Sequence, residues 1–239
     1  MTIEQPHNAG FAWDGKGRTG LRHPPEAAGR EAPADERAPA EAASGEAGEQ
    51  IATASELVAA LQATEIVRIV VLSTHRELGS FGGLELARRL SAAGKATVLI
   101  DLTPDGWLAG RMGLAADALG YADLLAGGAG LADIIYRDHH TATHFVPSGG
   151  FEFERADETT LGHLAHVLAA FDEAYDYAVV EADALDIPEL PAILDGNSAV
   201  VIAGLPHVDD RMIDVADDLR MIGIDDIVFM PLIRRQPGA

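Results

Sequence analysis

From residue 51 onward, unbroken apolar blocks alternate with stretches whose apolar positions recur every three or four residues. The blocks predict strands at 67–72, 96–101, 144–147, 177–181, 199–203 and 227–232. The longer spacing predicts helices at 81–93, 121–126, 131–137, 160–174, 188–194 and 209–222. A further short helix runs to about residue 63, capped by Thr53 or Ser55, with Leu57, Ala60 and Leu61 on one face. A strand that is apolar at every position is buried on both sides. Such strands alternating with helices imply a mainly parallel sheet with helices on both faces, a three-layer α/β fold.

Residues 1–50 differ in texture. They are rich in Ala, Glu, Gly and Pro and poor in large apolar residues. Such a segment buries too little surface to offset chain entropy, so it is expected to be a disordered acidic tail ahead of one domain over 51–239. Phe11 and Trp13 are its exceptions, a short docking motif or two incidental aromatics.

Charge narrows the partners. The net charge is −21, of which −17 lies on residues 51–239. An acidic surface repels phosphate backbones and anionic lipid, so no nucleic-acid partner is expected. No apolar run approaches the ~20 residues that span a bilayer, so no direct membrane insertion is expected and the cytoplasm is the default. There is no cysteine, which removes disulfides, thiolate metal sites and a Cys nucleophile.

The segment 69–102, IVVLSTHRELGSFGGLELARRLSAAGKATVLIDL, has the strand, loop, helix and strand order of a phosphate loop. A working loop reads GxxxxGK[ST]: backbone N–H groups wrap the phosphates and the lysine neutralises β/γ charge. Helix register puts Ser73 at the first glycine, Leu78 at the second, Gly79 at the lysine and Ser80 at the hydroxyl. Leu78 adds a side chain where the loop must hug phosphate, and Gly79 carries no charge. Arg76 is within reach of an anion. Arg68 opens a buried strand and points away. Together Ser73, Arg76, Leu78, Gly79 and Ser80 form a vestigial cradle, and no bound cofactor is expected. ATP and Mg²⁺ enter only if the loop works unconventionally.

Two carboxylates end strands where ligands gather in open α/β sheets. Asp101 can hold Mg²⁺ or cap the turn of DLTPDG. Glu181 closes YAVVE, with Asp183 two residues on. Both are vestigial metal positions, and no catalytic residue is assigned. His139, His140, His144, His163 and His166 lack any recognised ligand spacing and read as surface histidines.

The sequence resembles the cytoplasmic kinase domain of bacterial tyrosine autokinases, the polysaccharide co-polymerases related to MinD and ParA ATPases. The resemblance rests on IVVLST…GGLELARRLSAAGKATVLIDL, GYADLLAGGAGLADIIYRD, THFVPSGG, FDEAYDYAVVEAD and AVVIAGLPHVDDRMIDVADDLRMIGIDDIVFMPLI, in that order. It covers about residues 52–233 and implies a P-loop NTPase-like fold of seven or eight strands. It also implies ATP binding and tyrosine autophosphorylation, but the required residues depart from the family. Leu78 and Gly79 replace the glycine and lysine. The D-x-D-x-R motif becomes Asp101, Thr103 and Asp105, and D-x-x-P becomes Glu181 and Ala184. The assembly motif E-x-x-R-x-x-R becomes Glu56, Ala59 and Gln62, and PLIRRQPGA has no tyrosine cluster.

The resemblance therefore implies a catalytically degenerate subunit of exopolysaccharide or capsule synthesis and export. Its partner would be a membrane-embedded chain-length protein, met from the cytoplasm or peripherally at the inner membrane, and a homo-oligomer is open. The alternatives are an active ATPase or kinase and a MinD/ParA-like spatial regulator.

Overall fold

The computed structural model describes residues 50–78, 81–115, 117–152, 155–184 and 187–232. Residues 1–49 of the expected tail, with Phe11 and Trp13, lie outside them, while Gln50 at its end belongs to a strand.

Eight strands form one sheet: β1 (Gln50–Ile51), β2 (Arg68–Ser73), β3 (Thr97–Asp101), β4 (Tyr136–Arg137), β5 (His144–Val146), β6 (Tyr177–Ala182), β7 (Ser198–Gly204) and β8 (Ile227–Pro231). Their order is β1-β8-β7-β2-β6-β3-β5-β4. All neighbours are parallel except β4 against β5. The central strands are apolar throughout because both faces are covered. In β2, Val70 and Leu72 point to one core, while Ile69 and Val71 point to the other.

Helices α1 (Ala54–Leu61), α2 (Gly82–Ala92) and α3 (Trp107–Arg111) supply Leu57, Leu61, Leu86, Leu90 and Leu108 to one core. Helices α4 (Tyr121–Leu125), α5 (Glu158–Ala174) and α6 (Asp210–Met221) supply Tyr121, Leu164, Leu168, Phe171, Met212 and Leu219 to the other. The three expected layers are present. Thr53 caps α1: its hydroxyl accepts the Glu56 N–H, and the Glu56 carboxylate accepts the Thr53 N–H. Glu56 is thus the capping-box partner of Thr53.

Two expected helices are corrected. Residues 131–137 form one 3-10 turn, Leu131–Ile134, and then β4. Gly130 precedes the turn and donates its N–H to Asp133 at 2.9 Å, while Tyr136 and Arg137 find partners in β5, so sheet pairing overrides the local period. Residues Ile187–Ala192 form a 3-10 helix that contains Pro191, which has no N–H to continue an α-helix.

The segments GYADLL and VPSGG pack together. Tyr121 and Ala122 donate their N–H groups to the carbonyls of Pro147 and Ser148 at 2.7 and 2.9 Å, which fixes the loop after β5 against the start of α4.

Candidate functional site

Parallel strands deliver their last residues to one edge, and here β2, β3 and β6 end in Ser73, Asp101 and Ala182, the residue after Glu181. Asp101 and Glu181 are register partners on adjacent strands. Both side chains are completely buried.

Helix α2 starts against this edge without a capping side chain of its own. Its first donors are satisfied from the sheet. Ser73 Oγ accepts the Gly82 N–H at 2.8 Å, and Glu181 Oε2 accepts the Gly83 N–H at 2.7 Å. The two glycines permit this approach. A Cβ at Gly83 would lie 2.5 Å from Glu181 Oε2, and one at Gly82 would overlap Ala203 on β7. Glu181 thus supplies a built-in acceptor oxygen at the N-terminus of α2, where backbone donors lack partners within the helix.

Asp101 forms the turn that follows it. Its Oδ1 accepts the Thr103 hydroxyl at 2.5 Å and the Thr103 N–H at 2.9 Å. The turn-capping reading of DLTPDG is therefore realised. The other oxygen, Asp101 Oδ2, has no partner, and neither has Glu181 Oε1. Burial pushes the Asp101 carboxyl up to about 6, opposed by the two Thr103 donors and by Arg76 and reinforced by Asp105. Burial pushes Glu181 up to about 8, opposed by Ser73, Gly83 and Arg76 and reinforced by Asp101.

The loop between β2 and α2 is tied down residue by residue. Arg76 pairs with Asp105 at 2.9 Å and with Asp183. His75 Nδ1 meets the Thr74 hydroxyl at 3.0 Å, and His75 Nε2 lies 3.2 Å from Asp209, the cap of α6. Glu77 pairs with Arg211 of α6 at 3.0 Å. Leu78 is half exposed and lines a cavity of ≈ 480 Å³ with Phe81, Leu84, Arg111 and Leu232. Gly79 and Ser80 lie outside the described residues.

Of the expected cradle, the structure brings Ser73 and Arg76 to the strand edge that also holds the expected metal positions Asp101 and Glu181, and it turns Leu78 toward solvent and the cavity. Arg68 sits at the far end of β2, paired with Asp172 and Asp195, and points away as expected. His139, His140, His163 and His166 are exposed, while His144 is half-buried and meets the Tyr175 hydroxyl at 2.6 Å. Sequence reasoning missed Gly82 and Gly83 as the reason Glu181 reaches α2. The paired glycines at the helix start were the visible signal.

No protein-family model and no curated protein matches the chain. Solved structures do. The VpsO kinase domain is 21% identical over 75% of this chain and 93% of its own, at a TM-score of 0.57. The kinase domain of Escherichia coli tyrosine kinase ETK is 15% identical over 77% and 75%, at 0.60. The chain has the P-loop fold of bacterial tyrosine kinase domains. Cobyrinic acid a,c-diamide synthase from Mycobacterium smegmatis, solved with a bound ATP analogue and magnesium, matches at 16% identity over 69% and 70%, at 0.50.

That last likeness overturns the expectation of no cofactor. The fold is one that holds a nucleotide and magnesium in a solved neighbour. The expectation rested on Leu78 and Gly79 in place of the loop's glycine and lysine, and it read Asp101 and Glu181 only as vestigial metal positions. The buried, unpartnered oxygens Asp101 Oδ2 and Glu181 Oε1 suit a hard cation that prefers oxygen ligands, and these two residues would hold Mg²⁺. Bound there, the ion would supply positive charge to neighbouring phosphate oxygens. No helix among the described residues is long and apolar enough to cross a membrane.

Proposed function

We propose that this kinase-fold chain does not transfer phosphate and serves as a regulatory or scaffolding subunit of exopolysaccharide or capsular polysaccharide synthesis and export. The observation that carries the reading is the fate of the loop's charge. Gly79 replaces the lysine, and Arg76 is committed to Asp105 and Asp183. Phosphoryl transfer depends on cations placed on the transferring group and on a positioned nucleophile. With Glu181 turned into α2 and Thr103 in the second motif, metal and phosphate positioning are both altered. The partner in this reading is a membrane-embedded chain-length protein reached from the cytoplasmic side.

The test is autophosphorylation of the wild-type full chain with radiolabelled ATP and Mg²⁺, read by anti-phosphotyrosine detection. The expected result is no signal above a heat-denatured control. Strong labelling would falsify the proposal.

A further inference from the structure

The outer face of α6 concentrates two features that are scattered over the rest of the molecule. Three of the eight large apolar side chains exposed among the described residues lie on it or at its C-terminal end: Ile213, Met221 and Ile222. Met221 is the most exposed of the eight, at 78%. Residues 210–226 also carry six aspartates, all exposed, against two arginines. Both arginines are engaged. Arg211 pairs with Glu77 at 3.0 Å, and Arg220 pairs with Asp217 at 2.9 Å.

Helical spacing sorts these residues. Met212, Val215, Ala216 and Leu219 face the core. On the opposite side Asp210, Asp214, Asp217 and Met221 follow one another at i, i+4, i+7 and i+11, a stripe about 16 Å long. Ile213 flanks the stripe on one side and Asp218 on the other. The acids stand against the local field. A helix C-terminus already carries partial negative charge, yet Asp217 and Asp218 lie near that end, with Asp225 and Asp226 just beyond it. A methionine side chain adapts its shape to many apolar partners. One exposed apolar residue is ordinary, whereas a group rimmed by a single sign of charge marks an interaction surface.

We propose that this face docks a cationic amphipathic helix of another protein, whose Lys or Arg residues meet Asp210, Asp214 and Asp218 and whose apolar stripe covers Met221 and Ile213. Charge selects this occupant. A second copy of the chain would bring the same six aspartates to the contact, and anionic lipid or nucleic acid would be repelled as well. A docking helix presents its anchors at i, i+3 or i+4, and i+7, which matches the repeat along α6. The surface goes beyond the absence of phosphoryl transfer and does not depend on it.

The probe is a fluorescein-labelled helical peptide of lysine and leucine, its leucines on one face, titrated with the full chain at physiological ionic strength and read by anisotropy. A peptide of the same composition, scrambled to break the helical spacing, is the control. Saturable binding to the amphipathic peptide, roughly tenfold tighter than to the scrambled one, is expected. Asp214→Asn with Asp218→Asn should weaken it roughly three- to tenfold, the scale of two exposed charge contacts. Met221→Gln should weaken it by a similar factor through lost apolar burial. Glu158→Gln with Glu173→Gln, at exposed positions of α5, should leave it unchanged.

No saturable binding, no preference over the scrambled peptide, or an equal loss from the α5 pair overturns the proposal, the last because it would mean general attraction to an acidic protein. Sedimentation of the chain alone addresses the second copy, and self-association that Met221→Gln abolishes also overturns it. Should a variant not fold, amide hydrogen exchange on the wild type decides. The amphipathic peptide is expected to slow exchange at least severalfold across residues 212–223 and to leave α5 unchanged. Slowing that is absent, or equal in both helices, overturns the assignment.

Discussion

The backbone N–H of Gly83 donates to Glu181 Oε2 across 2.7 Å, and the missing side chain at position 83 makes that approach possible. The contact joins residues 98 positions apart and starts α2 from the sheet. Gly83→Ala puts a methyl group 2.5 Å from the carboxylate oxygen. Overpacking of this kind costs about 1–3 kcal/mol. A lowered midpoint of urea unfolding, with unchanged slope, is the expected result, and an unchanged midpoint would contradict the geometry.

The buried acids set a pH dependence whose sign is fixed. Asp101 and Glu181 bind protons more tightly folded, at about 6 and about 8, than at their ordinary values of 3.8 and 4.5. Their favourable contribution is complete below those ordinary values and is lost as pH rises through about 6 and then about 8. Glu181→Gln keeps an acceptor for Gly83 without an ionisable proton. It should be more stable than wild type at alkaline pH, with a gain of about 2–4 °C in Tm for each kcal/mol relieved. The difference should shrink toward acid pH. A gap between variant and wild type that does not change with pH counts against the assignment.

At the opposite end of β2, Arg68 is buried, pairs with Asp172 and Asp195, and donates to the Ile193 carbonyl at 2.7 Å. Arg68→Met strands the mostly buried Asp172 and should cost ~3 kcal/mol. The double variant Arg68→Met with Asp172→Leu should recover most of that loss, because a buried ion pair and an apolar pair of similar volume are close in stability. Chemical denaturation of the three proteins measures it. No recovery in the double variant would mean that the carbonyl contact to Ile193 dominates.

Rebuilding the loop with Leu78→Gly and Gly79→Lys restores the point charge aimed at β/γ-phosphates. ATP–Mg²⁺ affinity should rise roughly 10- to 150-fold over wild type, the range of a charged hydrogen bond. Tyrosine phosphorylation should still be absent, since Glu181 remains tied to Gly83 and Arg76 to its aspartates. Calorimetry and phosphotyrosine detection on both proteins separate the two effects. Strong labelling of the rebuilt loop alone would mean the remaining departures are tolerated.

The sheet was legible because its buried strands carry their signal locally: RIVVLS and YAVVEA are apolar on both faces, so their burial needs no partner to be read. Strands of two residues, such as Gln50–Ile51 and Tyr136–Arg137, carry no period, and five-residue α3 with Gly110 inside it has little helical pattern. At the site, sequence located Ser73, Arg76, Asp101 and Glu181 on the right elements. It did not pair Arg76 with Asp183, 107 positions away, because ion pairs of that span depend on strand order. The surviving carboxylates were undervalued for a related reason. A motif is read by its missing letters, whereas a buried acid is read by what surrounds it.

Residues 75 and 77 both grip α6, through Asp209 and Arg211, while residue 76 between them grips the strand edge. Loop and helix are therefore one mechanical part. A protein that leaned on the outer face of α6 would move the loop without touching it, and the arginine at its centre would feel the push.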